Sequence, residues 1–279
     1  MTIETTVGTA DVLHRLALAV ETVDAVTHRP IRVRAGREVA VRLLGPVVDP
    51  SWRCLDLETN GRGRSVLRHG PSVPALITVR FVDTGYRFVA RRFRIPLWTV
   101  ADVAAADASP PSGPYIPVRS RLLRPWLLPG SAYELTRGTT GVRGRVTRAG
   151  KPVRWARISA SGPGNVPVGW THGDERGEFL LVITDTGLLP PPAPSSININ
   201  LVVSAGPQQP TTDEDRYADL VVEPVPRSAV PPNAIDLDND VLRGVARPAG
   251  YVDSTAIATP VVAEIGAITT LRNDIDFTP

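Results

Sequence analysis

Apolar and polar residues alternate with a period of two in several parts of this chain. Val142, Gly144 and Val146 alternate with Arg143, Arg145 and Thr147, which predicts a strand with one buried face. Gly150-Lys151-Pro152 reads as the turn that follows. Beyond it Ala156, Ile158 and Ala160 point one way and Arg157 and Ser159 the other, and small alanines suit a sheet packed closely on a second layer. Gly177 supplies the positive φ of another tight turn, after which Phe179, Leu181 and Ile183 resume the alternation. Ile197, Ile199, Leu201 and Val203, set against Asn198 and Asn200, predict a further strand.

The first half repeats the design more loosely. Strands are predicted near residues 13–21, 31–34, 38–44, 53–58, 76–82 and 86–95. In the last of these the apolar phase moves from Tyr86 and Phe88 to Phe93 and Ile95, which implies a bulge near Ala90-Arg91-Arg92. Val26 to Ile31 echoes Ala149 to Val153, and Asp83 to Phe88 echoes Glu175 to Phe179. The reading is therefore all-β, two tandem β-sandwich domains with an extended C-terminal arm. The boundaries are an N-terminal segment 1–11, a first sandwich 12–130, a second sandwich 138–225 and an arm 226–279. A short helix or ordered linker fits Val100 to Ala108, and Pro110 to Pro114 and Pro125 to Gly130 read as loop and linker. Pro226, Pro231 and Pro232 break pairing beyond Pro224. The stretch Val261 to Ile268 has the β-branched content of a strand and is expected to add to a sheet edge, in its own sandwich or in a neighbouring subunit. On that reading, truncation after Asp240 leaves both sandwiches folded while reducing assembly.

The run Gly150-Lys151-Pro152-Val153 with Ala156 and Ile158, followed by Thr171, Asp174, Gly177, Phe179 and Leu181, resembles the carboxypeptidase regulatory-like domain, a transthyretin-like β-sandwich. The resemblance implies a folding, spacing or docking module with no catalytic residues of its own. Two departures lie in the loops: Gly162 to Pro167 lengthens the approach to Trp170, and His172-Gly173 widens the Asp turn. A second resemblance rests on Arg15 to Val20 through Asp24 to Pro30, joined to that sandwich and a proline-broken tail. The whole is similar to accessory proteins encoded with phage-tail-like contractile injection systems in actinobacteria. It implies a bacterial particle subunit at a cap or baseplate, presenting sheet edges and an arm to its neighbours.

Composition fits a structural role. With 28 prolines and 23 glycines in 279 residues, long helices are disfavoured. No stretch reaches the roughly 20 apolar residues of a membrane span. The N-terminus lacks a basic-then-apolar leader pattern, so a cytoplasmic location is expected. Cys54 stands alone and reads as a buried thiol. Charge is uneven: residues 1–150 hold 22 Arg against 12 acidic residues, net +10, and residues 151–279 hold 9 basic against 16 acidic, net −7. Such cations serve either a solvated surface or an assembly in which a basic end meets an acidic one. The candidate partner-binding residues are Arg87, Arg91, Arg92 and Arg94, with Val261, Val262, Ile265 and Ile268 in the arm. Nucleic acid is set aside, because Tyr86, Phe88 and Phe93 are better used in a core.

Nothing in the chain reads as catalytic. Gly-x-Ser-x-Gly, His-Glu-x-x-His and Walker-type patterns are absent, and His14, His28, His69 and His172 are scattered. Asp236-Leu-Asp238-Asn-Asp240 fails as an EF-hand, with Val241 where Gly and Arg247 where Glu are required. Asp213-Glu214-Asp215 and Asp174-Glu175 read as solvated turns, with a weak calcium loop as the alternative. The expectation is no enzyme, no metal and no cofactor. Partners are other protein subunits, in a homo-oligomer or multi-protein particle, with no nucleic acid and no membrane span. The competing function is a carbohydrate- or surface-binding sandwich in which Trp126, Trp155 or Trp170 forms a stacking platform, against burial of those rings at the sandwich ends.

Overall fold

The computed structural model describes residues 16–31, 40–44, 58–59, 64–69, 73–113, 116, 121–184, 194–208, 215–226, 239–255 and 259–279. The strands in chain order are β1 (Leu16–Val20), β2 (Val23–Asp24), β3 (Ala40–Leu44), β4 (Glu58–Thr59), β5 (Ser65–Arg68), β6 (Leu76–Val82), β7 (Arg91–Pro96), β8 (Leu122–Leu123), β9 (Trp126–Leu127) and β10 (Gly141–Arg148). They continue with β11 (Lys151–Pro152), β12 (Arg157–Ser161), β13 (Pro167–His172), β14 (Glu178–Val182), β15 (Ser196–Ala205), β16 (Val222–Pro224), β17 (Val252–Asp253), β18 (Thr259–Glu264), β19 (Ile268–Thr270) and β20 (Ile275–Asp276). The protein is all-β.

In the first sandwich a sheet ordered β4-β5-β1-β8 shares a core with one ordered β16-β7-β6-β3. Ala17, Leu18, Val20 and Leu67 meet Ile77, Val79, Phe81, Phe93 and Ile95 there. Phe81 and Phe93 pack edge to face at 5.7 Å, a favoured aromatic geometry. The strand predicted over 86–95 begins only at Arg91, and a turn takes the place of the bulge. The Asp83 carboxylate accepts from the N–H groups of Gly85, Arg87 and Phe88, and Tyr86 takes a positive φ of 56°. Pro125 to Gly130, expected to be linker, supplies β9, which pairs β2 in parallel. The helix predicted after Thr99 spans Val100–Asp107 and carries a capping box between Thr99 and Asp102. Cys54, with most of the predicted strands over 31–34 and 53–58, lies outside the described residues.

The second sandwich sets β11-β10-β14, extended by β19 and β20, against β13-β12-β15-β17, extended by β18. Val142, Val146, Phe179 and Leu181 face Ile158, Ala160, Ile199, Leu201 and Val203 across its core. Gly177 is required by both conformation and space, because its φ is +74° and a Cβ would lie 2.4 Å from the Val146 carbonyl oxygen.

The two sandwiches are stitched together by the chain. After β15 it returns to the first sandwich as β16, parallel to β7 with Glu223 opposite Phe93, and then crosses back for β17 to β20. The boundary at 225 is therefore corrected, since Val222–Pro224 belongs to the first sandwich. The arm is folded into the second sandwich instead of extended, and Val261 to Glu264 adds to a sheet of its own sandwich as expected: β18 pairs antiparallel with β15 from Ser196↔Glu264 to Leu201↔Thr259, and β19 and β20 run parallel beside β10. The cause is alternation, with Val261 and Ala263 entering the core while Val262 and Glu264 point out.

Candidate functional site: a charged seam between the sandwiches

Asp215, Asp219 and Glu223 stand four residues apart on the segment that crosses between the sandwiches. Each carboxylate is captured by arginine. Arg80 Nη1 donates to both Asp215 oxygens at 2.9 and 2.7 Å. Asp219 accepts from Arg154 Nε at 2.6 Å and Nη2 at 2.9 Å, and from the Trp155 indole at 2.9 Å. Glu223 accepts from Arg91 Nε at 3.0 Å and Nη2 at 2.7 Å, and it forms an ion pair without a hydrogen bond to Arg157 Nη2 at 3.4 Å. Sheet register explains why counter-charges are needed: Arg80 and Arg92 occupy directly opposed positions on β6 and β7. Like charges opposite one another destabilise a sheet unless they are compensated.

Arg91 is the centre of the seam. Its side chain is 0% exposed, and Glu223 beside it 3%. Besides the two bonds to Glu223, Nη1 donates to the Trp126 and Leu242 carbonyls at 2.7 Å each and Nη2 to the Val241 carbonyl, so all five guanidinium N–H groups are used. A buried charge is tolerable only when it is paired and hydrogen-bonded in this way. The acceptors come from β16, β9 and the short helix Asp240–Arg243, and Arg157 of β12 shares the same carboxylate. Arg91 thus ties β7 to β16, β9 and the helix, and the shared Glu223 carries the seam on to β12 of the second sandwich. The helix is N-capped by Asn239 and ended by Gly244 at φ 78°.

His172, at the end of β13, is fully buried with Nε2 2.9 Å from the Gly244 carbonyl. Burial, and then the nearby Arg157 and Arg91 cations, hold its imidazole well below the usual histidine range. The ring is therefore neutral, and Nε2–H is assigned as the donor because its partner is a carbonyl. Nδ1 makes no hydrogen bond among the described residues. Beside it, the Arg243 guanidinium lies 5.1 Å from the Trp126 ring and 5.8 Å from the Trp170 ring, and His28 packs at a 37° tilt against Trp126, 4.9 Å between centroids. Trp155 is 3% exposed. Trp126 and Trp170 are half-buried, each beside Arg243.

The expected contact residues do not form one patch. Arg91 is corrected outright: it is an internal tie, and the charge asymmetry of the two halves is partly satisfied within the chain. Arg92 is half-buried, with Nη1 3.3 Å from the Ala218 carbonyl, and burial followed by Arg80 lowers its pKa. Arg87 lies 5.3 Å over its neighbour Phe88 and 3.9 Å from Asp83. Arg94 is exposed. In the second sandwich Val261 is in the core, Ile265 packs against it, Ile268 is half-buried in β19 and Val262 is 59% exposed. The outer edge of β18 is largely closed to strand addition. Pro260 has no N–H, and Thr269 Oγ1 accepts from the Glu264 N–H at 3.1 Å, which leaves Val262 as the outward donor between them.

Asp174 and Glu175 are not solvated turn residues. Asp174 is buried and holds its turn by accepting from the N–H groups of Arg176 and Glu178, while Glu175 accepts from the Tyr86 hydroxyl. Asp215 pairs with Arg80; Asp213, Glu214, Asp236, Asp238 and His14 lie outside the described residues. Among the described residues no three His, Cys, Asp or Glu side chains are grouped to hold a metal ion, and no helix is long and apolar enough to cross a membrane. The sequence pattern does not mark Asp219, Glu223, Arg154 or Arg157 as seam partners, and it presents His172 only as a loop departure and one of four scattered histidines. The spacing of 215, 219 and 223 was the available signal.

No family model and no curated protein matches the chain. Among solved structures it is similar to the Bacillus anthracis TIE protein at 10% identity and TM-score 0.24, covering 94% of this chain and 34% of that one. It is likewise similar to a streptococcal ancillary pilin, at 10% identity and TM-score 0.25, over 94% and 62% of the two chains. The third is GBS52, the minor pilin of Streptococcus agalactiae, at 10% identity and TM-score 0.24 over 95% and 97%. The chain spans about a third and under two thirds of the first two. Likenesses at this TM-score carry no argument about function.

Proposed function

We propose that this protein is a non-enzymatic structural subunit of a multi-protein assembly, in which two sandwiches locked at a fixed angle act as a rigid spacer and docking body. The observation that carries this reading is Glu223, whose buried carboxylate is held both by Arg91 of the first sandwich and by Arg157 of the second. A buried pair of this kind is weak evidence for stability but suits a body in which one arrangement must be specified. Contacts with neighbours then fall on side-chain faces, with Arg94 on the first sandwich and Val262 on the second. The sequence resemblance supports a finer reading, a cap or baseplate component of a phage-tail-like contractile injection system.

Expression with the products of neighbouring genes, followed by gradient sedimentation, tests both levels. Co-sedimentation with sheath and tube proteins is expected, with Arg94→Glu weakening it; assembly only with other subunits removes the finer reading. A chain that stays monomeric with every neighbouring product while binding immobilised glycans favours the carbohydrate-binding alternative and overturns the assembly reading.

A further inference from the structure

The corner Asp240–Gly244 is a keystone between the sandwiches. Leu242 fills the first core, the carbonyls of Val241 and Leu242 cap Arg91, Arg243 sits between tryptophans of the two sandwiches, and the Gly244 carbonyl receives His172. The fit is close, since a Cβ on Gly244 would lie 3.1 Å from Cε1 and Nε2 of the His172 ring. Two cations, Arg157 and Arg91, act on this ring, and further charged and titratable groups lie on the elements around the corner. Arg91 comes from β7, Arg157 from β12 and Glu223 from β16; Tyr251 precedes β17, and Asp240 and Arg243 lie on the helix. The lone carboxylate at the centre, Glu223, is already committed to two guanidinium groups.

We propose that this corner is an acid-released latch: a proton taken up at His172 Nδ1 expels the Asp240–Gly244 corner and frees the two sandwiches to move relative to one another. The added proton finds no acceptor at Nδ1 among the described residues and places a third cation beside Arg91 and Arg157. Opening toward water relieves both conditions, so the protonated ring and the open seam favour each other. At neutral pH the ring is uncharged and the latch is shut. This inference concerns the seam itself and does not depend on which assembly the protein joins.

The test is amide hydrogen exchange on the full chain at about pH 7.5 and about pH 5.5, corrected for intrinsic rates, with His172→Gln as the variant that keeps a donor for Gly244 but does not titrate. At the lower pH, about one unit below the ordinary histidine value, protection of Val241 to Val245 and Trp170 to His172 is expected to fall about tenfold in the unmodified chain. In His172→Gln it is expected to hold. Equal protection at both pH values, or an equal loss in the variant, overturns the latch. Should the variant fail to fold, histidine-ring NMR on the unmodified chain decides. Uptake of a proton by His172 in step with loss of the corner amide signals supports the latch, and uptake with those signals unchanged refutes it.

Discussion

Arg91 and Glu223, 132 residues apart in sequence, meet in a two-pronged ion pair at 3.0 and 2.7 Å. They lie on neighbouring parallel strands, and Arg157 of the other sandwich reaches the same carboxylate. The pair therefore closes the first sheet and the gap between sandwiches together. Its buried position sets it apart from Arg247 and Asp253, whose side chains are 52% and 57% exposed. An exposed pair of that kind contributes at most about 1 kcal/mol.

Removing one partner strands the other in the interior. Arg91→Met is expected to lower the unfolding free energy by about 3–5 kcal/mol in urea titrations, and Glu223→Gln by a similar amount because it leaves Arg91 and Arg157 without their carboxylate. A loss under about 1 kcal/mol for either variant contradicts the burial and pairing described.

Stability is expected to depend on pH through His172. Its folded-state pKa is depressed by burial and by Arg157 and Arg91, so below about pH 6.5 the unfolded chain binds a proton that the folded chain refuses. Stability is full above that value and falls with decreasing pH, by up to about 1.4 kcal/mol per unit. Urea titrations between about pH 7.5 and pH 5.5 should show this slope, and His172→Gln should lose that share of it. A slope identical in the two proteins assigns the dependence to other groups.

Truncation after Asp240 is now expected to unfold the second sandwich, contrary to what an extended arm implies. It removes Val261, Ala263, Ile275 and Phe277 from that core and Leu242 from the first. Each large apolar side chain lost from a core costs about 2–5 kcal/mol, which exceeds the margin of most domains. Near-ultraviolet circular dichroism that retains its native form after truncation speaks against this.

Gly177→Ala places a methyl 2.4 Å from the Val146 carbonyl oxygen at a φ of +74°. The strain of the left-handed backbone and the contact should together lower stability by at least about 1 kcal/mol. Gly138→Ala has a similar φ of +87° and nothing within 4 Å, so it separates the two effects. Equal losses for both would assign the whole effect to φ.

The second sandwich was legible because its strands carry their pattern locally: Ile197, Ile199, Leu201 and Val203 face inward as the alternation requires. Arg91 shows where pattern reading stops. It lies on the same inward face as Phe93 and Ile95, but as a cation it drops out of an apolar pattern. Its partner is a carboxylate distant in sequence, and no local rule finds such a residue. The return of β16 to the first sheet was hidden for the same reason, since three residues joining an edge strand leave no periodic signature. The three carboxylates spaced by four were visible, but only the fold shows that each meets an arginine.

Calorimetric unfolding of the full chain at neutral pH tests most directly whether the seam makes one body of the two sandwiches. The account predicts a single transition in which calorimetric and van't Hoff enthalpies agree, because the chain is threaded through both sandwiches and Glu223, shared by Arg91 and Arg157, joins them. Two resolved transitions in the unmodified protein, each unaffected by Arg91→Met, would contradict it.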